Sequence, residues 1–253
     1  MKRNEFIKIS GLAGISFTIF PHFSFKTLQN QFSRNQLIGK GNPDIVGDSY
    51  TSKMEKTTKE AFIQMKKAAA KENINIEVVS AYRSFQRQKE IFEGKYKRFT
   101  GQGMSPEEAV EKIIEYSTIP GTSRHHWGTD LDLIDANAPR PANVLMPENF
   151  HGNGPYCNFK IWLNNNAGKF GFYEVYTDNG NRKGFKYEPW HFSYAPISIP
   201  MLKEYKQKID VKNMLADEKI LGNDHFSEAF LSKYVKENIM DINPDLLPAS
   251  KSR

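Results

Sequence analysis

The sequence predicts an α+β fold from three observations. Apolar residues recur at helical spacing after Thr57 and again after Ser84. A β-branched run at residues 76–80 and a second run at residues 130–134 indicate strands. Helices precede and interrupt the strands without the βαβ alternation of a parallel sheet, which favours the α+β class. The 253 residues, with 39% hydrophobic and 25% charged content, suit one domain with extensions or two small domains.

The first predicted helix begins at Thr57. Thr57 and Glu60 have the spacing of a capping box, in which each side chain bonds the backbone N–H of the other residue. Phe62, Met65 and Ala69 follow at helical spacing. We therefore expect a helix that packs one face against the core.

A strand and two further helices are expected next. The strand covers residues 76–80, and the second helix begins at Ser84 because apolar residues recur on one side over three turns. These apolar residues are Phe85, Ile91, Phe92 and Tyr96. A third helix begins at Ser105, since Pro106 occupies its first position and acidic residues follow in the first turn.

The second half of the chain carries the remaining predicted strands. Residues 130–134, 172–176 and 189–194 have the composition of strands. Residues 159–170 contain apolar residues that predict a helix there, although three consecutive asparagines interrupt them.

The N-terminal segment has the form of an export signal. Lys2, Arg3 and Lys8 lead into an uncharged stretch at residues 9–20. This stretch is shorter than the roughly 18 residues that a membrane span requires. We predict a removable signal peptide over residues 1–25, and hence export to the periplasm or cell envelope. An ordinary amphipathic helix is the alternative.

Three further parts follow the signal peptide. Residues 26–50 are polar and without sustained periodicity, which predicts a linker. Residues 51–200 form the expected folded domain. Residues 201–253 are rich in lysine and carry no chemical motif, so we expect a peripheral helical extension.

The charge and cysteine content narrow the classes of function. The net charge of +6 comes from lysines spread along the chain and not from a basic block, so we predict no nucleic acid partner. The single cysteine, Cys157, excludes an internal disulfide and a thiolate zinc cluster. Any metal must therefore be held by His, Asp or Glu.

The first candidate site lies at residues 123–132. Gly128 lets the backbone turn before the strand that carries Asp130 and Asp132, and His125 precedes that turn. An imidazole and a carboxylate are two of the ligands that zinc prefers. Either aspartate suits this role, since alternate residues of a strand share a face.

The second candidate site contains Glu188 and His191. His191 offers a third metal ligand, and Glu188 is a carboxylate able to accept a proton from metal-bound water. Two histidines and one carboxylate leave a fourth position open for water, the arrangement of a catalytic zinc site. The two side chains diverge in an extended segment, so the chain must bend near Pro189.

Three motifs occur in order along the chain. They are Ser80-Ala81-Tyr82-Arg83-Ser84 with Gln88, in the pattern SxYRSxxxQ; Ser123, His125, Gly128 and Asp132, in the pattern SxHxxGxxxD; and Glu188-Pro189-Trp190-His191, in the pattern ExxH. Over roughly residues 50–197 the chain resembles D-alanyl-D-alanine carboxypeptidases of the VanY type, which are M15 metallopeptidases. The resemblance implies a hedgehog/DD-peptidase-like fold, with a small antiparallel sheet packed against helices and a C-terminal helical extension.

The resemblance also implies roles for five residues. His125, Asp132 and His191 bind one zinc ion per chain. Glu188 is the catalytic base. Arg83 contacts the substrate and the developing oxyanion, in keeping with the two-point match between guanidinium and carboxylate.

Further residues beside the motifs are candidate substrate contacts. Ser123 and Gln88 are expected either to bind the substrate or to form local hydrogen bonds. Four aromatic residues flank the motifs, where they line a peptide groove or belong to the core. They are Tyr82, Trp127, Tyr187 and Trp190.

These expectations combine into one predicted function. The chain is expected to be a zinc peptidase that hydrolyses bonds at or near the D-Ala terminus of peptidoglycan stem peptides, with D,D or L,D specificity. The alternatives are a non-catalytic peptide-binding module of the same fold and a cytoplasmic D-Ala-D-Ala dipeptidase. We expect a monomer without an integral membrane span in the mature chain.

Overall fold

A computed structural model describes residues 32–249, and the predicted signal peptide over residues 1–25 lies outside them. The described range contains helices interspersed with short antiparallel strands. The α-helices are α1 (Arg34–Leu37), α2 (Lys56–Ala70), α3 (Phe85–Gly101), α4 (Pro106–Ile113), α5 (Cys157–Asn166), α6 (Ala195–Lys208), α7 (Val211–Ala216) and α8 (Glu228–Tyr234). The strands are β1 (Ile45–Val46), β2 (Met54–Glu55), β3 (Ile76–Ser80), β4 (Asp130–Asp135), β5 (Phe172–Glu174) and β6 (His191–Tyr194).

The central sheet has four antiparallel strands in the order β3-β4-β6-β5, and β1 and β2 pair separately. Asp132 in β4 pairs with Ser80 of β3 on one side and with His191 of β6 on the other. One residue from each of the three sequence motifs therefore meets at the middle of the sheet. The predicted α+β class, with a small antiparallel sheet packed against helices, is confirmed.

The two faces of β4 have different environments. Leu131 and Leu133 belong to an apolar cluster with residues of α2 and α5. Because side chains alternate along a strand, Asp130 and Asp132 point to the opposite face. Both aspartates are buried there. A second apolar cluster contains residues of α1, α3, α4 and the C-terminal helices.

Part of the predicted linker over residues 26–50 belongs to the folded unit. Leu37 and Ile38 are fully buried in the second apolar cluster, and the indole Nε1 of Trp127 donates to the Leu37 carbonyl at 3.1 Å. A helix of four residues is too short to show a periodic pattern, and the local signal that it carries is the capping box of Ser33 with Gln36.

The predicted C-terminal extension, residues 201–253, is helical but not peripheral over its described part. Leu202, Tyr205, Met214 and Tyr234 are buried in the second apolar cluster. Lysines occupy the exposed positions, which is why composition alone suggested a solvated appendage. No helix within residues 32–249 combines the length and the apolar character needed to cross a membrane.

The ends of several elements differ from the sequence prediction. Helix α2 begins at Lys56, and the Glu55 carboxylate caps it by accepting from the N–H groups of Thr57 and Thr58 at 3.0 and 2.7 Å. The predicted capping box of Thr57 with Glu60 is therefore wrong. Both residues lie inside the helix, because Glu55 already satisfies the free N–H groups.

Helices α3 and α4 begin directly after Ser84 and Ser105, as predicted, and each serine side chain accepts from a backbone N–H of the first turn. The helix predicted at residues 159–170 is divided into α5 and a 3₁₀ turn at Ala167–Phe170. Strands β5 and β6 are shorter than the predicted ranges.

Candidate metal centre and active site

Three buried side chains, His125, Asp132 and His191, converge on the polar face of the sheet. One potential ligand atom from each residue lies within 4.8 Å of the others. His125 Nε2 is 3.5 Å from Asp132 Oδ2, and His191 Nδ1 is 3.9 Å from Asp132 Oδ1. Ligands about 2 Å from a zinc ion stand about 3.3 Å apart at the corners of a tetrahedron. These separations are close to that value.

Backbone geometry brings His125 to this place. His125 belongs to a 3₁₀ turn at Arg124–Trp127, which ends at Gly128 with φ of 73°. A side chain is excluded at Gly128, since a Cβ atom there would lie 2.3 Å from Ile45 Cδ1 and 2.7 Å from the Glu55 nitrogen. The turn therefore packs directly against the β1–β2 hairpin and leads into β4, as the position of Gly128 in the sequence suggested.

The hydrogen bonds of His125 leave one ring nitrogen available to a metal. His125 Nδ1 lies 2.8 Å from the Ala81 carbonyl oxygen, which requires the proton on Nδ1. His125 Nε2 then carries a lone pair, and this buried atom has no hydrogen-bond partner among the described residues. An unpartnered buried nitrogen is costly unless it binds a ligand, so His125 fits a metal ligand.

The ring of His191 is fixed from its far side. His191 Nε2 lies 3.0 Å from Asp130 Oδ1, while His191 Nδ1 faces Glu188 Oε2 at 2.8 Å. Donation of Nε2–H to Asp130 leaves Nδ1 for a metal, the carboxylate–histidine–metal arrangement of many metal sites. Without a metal, burial lowers the pKa of His191, but its bonds to Asp130 and Glu188 prevail and raise that pKa to about 9.

Asp130 lies behind His191 and is fully engaged by neighbouring donors. Its carboxylate accepts from Arg124 Nε at 2.9 Å, from Thr129 Oγ1 at 2.7 Å and from Ser193 Oγ at 2.9 Å. Burial acts to raise the pKa of Asp130, yet Arg124 and His191 hold it well below its usual range. The structure therefore groups Asp132, and not Asp130, with the two histidines.

A tight turn brings Glu188 to the candidate metal centre. The His191 N–H donates to the Glu188 carbonyl at 3.0 Å across Pro189 and Trp190. This turn supplies the bend that the sequence required near Pro189. Glu188 is buried, with 6% of the residue exposed, and burial raises the pKa of its carboxyl. A carboxylate of raised pKa beside the ligands is suited to taking and returning a proton.

Arg83 is held at the edge of the same centre by three contacts. Its Nε donates to Ser80 Oγ at 3.0 Å, its Nη1 to Gln88 Oε1 at 3.2 Å, and its Nη2 to Asp132 Oδ2 at 3.2 Å. Gln88 in turn donates to the Thr118 carbonyl at 2.9 Å. These bonds fix the guanidinium beside a candidate metal ligand.

The two expected substrate contacts have different positions. Gln88 is fully buried behind Arg83 and does not line the cavity, so its place suits a positioning residue better than a direct contact. Ser123 does line the cavity. Its buried hydroxyl has no hydrogen-bond partner among the described residues, which leaves it available to a ligand.

A cavity of about 400 Å³ opens onto the candidate metal centre. Of the four aromatic residues considered in the sequence, Trp190 lines it. Sequence reasoning missed several other residues of its wall, because neither motif nor periodicity distinguishes them. They are Tyr50, Ile91, Lys95, Tyr116, Leu145, Met146, Tyr176 and Phe185.

The C-terminal helices support the loop that leads into the second motif. The Tyr234 hydroxyl bonds the Ile119 N–H at 3.1 Å and Thr122 Oγ1 at 2.8 Å. The Tyr205 hydroxyl donates to the Gly121 carbonyl at 2.9 Å. The segment after residue 200 therefore contacts the backbone just before Ser123.

One protein-family model matches the central part of the chain. The family model described as VanY, D-alanyl-D-alanine carboxypeptidase, matches residues 51–197, which is more than half of the chain. This range contains all three sequence motifs. It ends at residue 197, within the first turn of α6.

Two curated proteins are similar in sequence to part of this chain. A D-alanyl-D-alanine carboxypeptidase of Enterococcus faecalis is 29% identical over 143 residues, covering 56% of this chain and 48% of that protein. An uncharacterized protein of Haemophilus influenzae is 30% identical over 123 residues, covering 46% of this chain and 92% of that protein. The chain thus spans about half the length of the Enterococcus relative.

The fold is also found among solved structures. The structure of VanYB in complex with D-alanine-D-alanine has a TM-score of 0.50 and 23% sequence identity, and the match covers 71% of this chain and 92% of that chain.

Proposed function

The chain belongs to the VanY family of D-alanyl-D-alanine carboxypeptidases, and on that premise we propose that it is a zinc-dependent peptidase acting at or near the D-Ala terminus of peptidoglycan stem peptides. One observation carries the proposal: three buried potential ligands surround one point, with the Glu188 carboxylate 2.8 Å from the ligand His191. The D-alanine-D-alanine bound in the VanYB structure further supports the proposal that the substrate is a peptide ending in D-Ala.

The donor set fits a single zinc ion per chain. His125 would bind through Nε2, His191 through Nδ1 and Asp132 through its carboxylate, since the other ring nitrogens are committed to Ala81 and Asp130. Zinc, when bound, supplies a Lewis acid that acidifies water and polarises a carbonyl group. Three protein ligands are the number found in catalytic zinc sites.

Glu188 moves the proton in the proposed reaction. Its carboxylate lies 2.8 Å from His191 Nδ1, the atom that would bind the metal, and so is placed to contact a water molecule that the metal would hold. It accepts the proton of the attacking water and returns it to the leaving amine. Burial raises the pKa of Glu188, which makes its carboxylate a better proton acceptor in the first transfer.

Arg83 stabilises negative charge on the substrate. Its guanidinium is fixed next to Asp132, so it needs no rearrangement as the carbonyl oxygen becomes an oxyanion. Gln88 and Ser80 hold Arg83 in this orientation through their bonds to Nη1 and Nε. Ser123 provides a free hydroxyl on the cavity wall for a polar group of the peptide.

A non-catalytic binding module of the same fold is the competing function. Such a module has no need for a buried carboxylate with a raised pKa beside the metal ligands, whereas hydrolysis requires one. We include export to the periplasm or cell envelope in the proposal, and this part rests on the N-terminal sequence.

Mass spectrometry of products tests the proposed function and its specificity. The purified protein is loaded with zinc and incubated separately with a stem pentapeptide ending in D-Ala-D-Ala and a tetrapeptide ending in one D-Ala. Loss of D-Ala from the pentapeptide indicates D,D-carboxypeptidase activity, and loss from the tetrapeptide indicates L,D activity. Binding of the peptides without any cleavage would favour the binding module.

A further inference from the structure

Lys95 lies on the cavity wall without an anionic partner. This half-buried side chain of α3 lines the cavity that opens onto the candidate metal centre. Within residues 32–249, no carboxylate lies at ion-pair distance from its ammonium group. Lys89 of the same helix, in contrast, pairs with Glu93 at 3.8 Å. A lysine that leaves solvent for a cavity without pairing is unusual.

Helical spacing places Lys95 beyond Arg83 along the cavity. Gln88, Ile91 and Lys95 are three and four residues apart, so they share one face of α3. Gln88 holds Arg83, whereas Ile91 and Lys95 line the cavity. Positions 88 and 95 are separated by about 10 Å at 1.5 Å per residue. Lys95 therefore lies on the cavity wall two turns along α3 from Gln88, the residue that holds Arg83.

The two arginines of the cavity wall, unlike Lys95, each form an ion pair with an aspartate, and only Arg124 Nη1 has no hydrogen-bond partner among the described residues. Arg83 donates to Asp132, and the buried Arg124 donates to Asp130 and to Ser193. Burial and the nearby Arg83 lower the pKa of Lys95 and outweigh the opposite effect of Glu188, so the charge of Lys95 is unfavourable in this place. An anionic group of a ligand would relieve that cost.

A second observation indicates a polar ligand at the same wall. The hydroxyl of Thr118 lines the cavity, is buried and has no hydrogen-bond partner among the described residues. Thr118 is also close to α3, because its carbonyl accepts from Gln88 at 2.9 Å. An ammonium and a hydroxyl group are both donors suited to a carboxylate.

We propose that Lys95 and Thr118 form a carboxylate-binding subsite for the peptide substrate, separate from the contact that Arg83 makes. This inference rests on the proposed function, since it assumes that a peptide occupies the cavity. The carboxylate belongs either to the C-terminus of the peptide or to an acidic side chain next to the scissile bond. The chemistry of recognition is the same for both.

Peptide affinity measured by calorimetry tests the subsite. The full chain carries Glu188→Ala to prevent cleavage, is loaded with zinc, and is compared with the same protein bearing Lys95→Met. Three pentapeptides ending in D-Ala-D-Ala are titrated: one with a free terminus and a Glu before the two D-Ala residues, one with a terminal carboxamide, and one with Gln in place of Glu. Lys97→Met, an exposed position of the same helix, is the matched control.

Lys95→Met is expected to raise the Kd of the doubly acidic peptide by about tenfold to a hundredfold, the value of a charge-assisted hydrogen bond. Lys95→Arg retains the charge and should stay near the parent value, as should Lys97→Met. If the Kd of the carboxamide peptide does not respond to Lys95→Met, Lys95 binds the terminal carboxylate. If the Kd of the Gln peptide does not respond, Lys95 binds the Glu side chain.

Two results would overturn the inference. If Lys95→Met changes the Kd of all three peptides equally, Lys95 binds no carboxylate. The proposed function would still stand if the protein with Glu188 intact cleaves the peptides. Absence of binding by any peptide to the parent protein, together with no cleavage by the protein with Glu188, would overturn both.

Discussion

His191 donates its Nε2–H to Asp130 Oδ1 at 3.0 Å, so that Nδ1 on the other side of the ring faces Asp132 and Glu188. Asp130 is itself fixed by Arg124, whose Nε donates to it at 2.9 Å. The tautomer of one candidate ligand therefore depends on a carboxylate that does not join the ligand group. This relationship gives a buried aspartate two positions from Asp132 a function of its own.

Asp130→Asn should weaken zinc binding by about tenfold to a hundredfold, because an amide is a poorer acceptor and no longer balances the charge of Arg124. Competition with a chromophoric chelator measures the zinc Kd. Asp135→Asn in the same strand is the matched control, since Asp135 accepts from the backbone N–H groups of Asn75 and Asn137 away from the site. Equal zinc affinities of wild type and Asp130→Asn would contradict the orienting role.

His126 should make the stability of the metal-free protein depend on pH. Its Nδ1 contacts the Arg83 carbonyl at 2.6 Å and its Nε2 accepts from the Gly121 N–H at 3.0 Å, so the buried ring must be neutral. Burial lowers the pKa of His126 from 6.5 to about 3. The unfolded chain then binds the extra proton between these values, and stability falls as the pH drops below 6.5.

The free energy of unfolding should decrease by at most about 1.4 kcal/mol per pH unit through this group. Denaturant titrations at pH 7 and pH 5, in the presence of a chelator, measure the decrease. His126→Gln removes the titration and should give a smaller difference between the two pH values, whereas the exposed His151→Gln should not. A wild-type slope in His126→Gln would show that other groups govern the acid response.

Tyr234→Phe should destabilise the fold by about 1–3 kcal/mol, because it leaves the buried Ile119 N–H without its acceptor. The same change loosens the loop before Ser123. At saturating zinc, kcat should therefore fall severalfold more than the loss of folded protein accounts for. Chemical unfolding and initial rates provide the two measurements. Tyr173→Phe is the control, as its hydroxyl bonds no other described residue. If Tyr234→Phe has the stability and rate of the wild type, the site does not depend on the C-terminal helices.

Local signals made much of the fold predictable. Ser84 and Ser105 precede apolar residues at helical spacing, and both cap helices as expected. The composition of residues 130–134 predicted a strand, and the polar face of that strand contains the candidate site. These features depend on residues within one or two turns of each other, which is the range over which sequence patterns are informative.

Long-range contacts explain what the sequence did not reveal. Leu37 lies in a four-residue helix, and Tyr234 acts through a bond to a residue more than a hundred positions away. Lys95 resembles any lysine on a solvated helix face until the cavity beside α3 is known. The grouping of His125, Asp132 and His191 was predictable because the three motifs resemble those of a known family.

Zinc content and turnover of wild type and Glu188→Gln test the central claim most directly. We predict about one zinc per chain in both proteins, with cleavage of a D-Ala-terminated stem peptide by wild type and a rate about 10²–10⁴-fold lower in the variant, because the proton acceptor is lost and the ligands are retained. A variant that keeps the wild-type rate, or a wild-type protein that binds no zinc, would contradict the account.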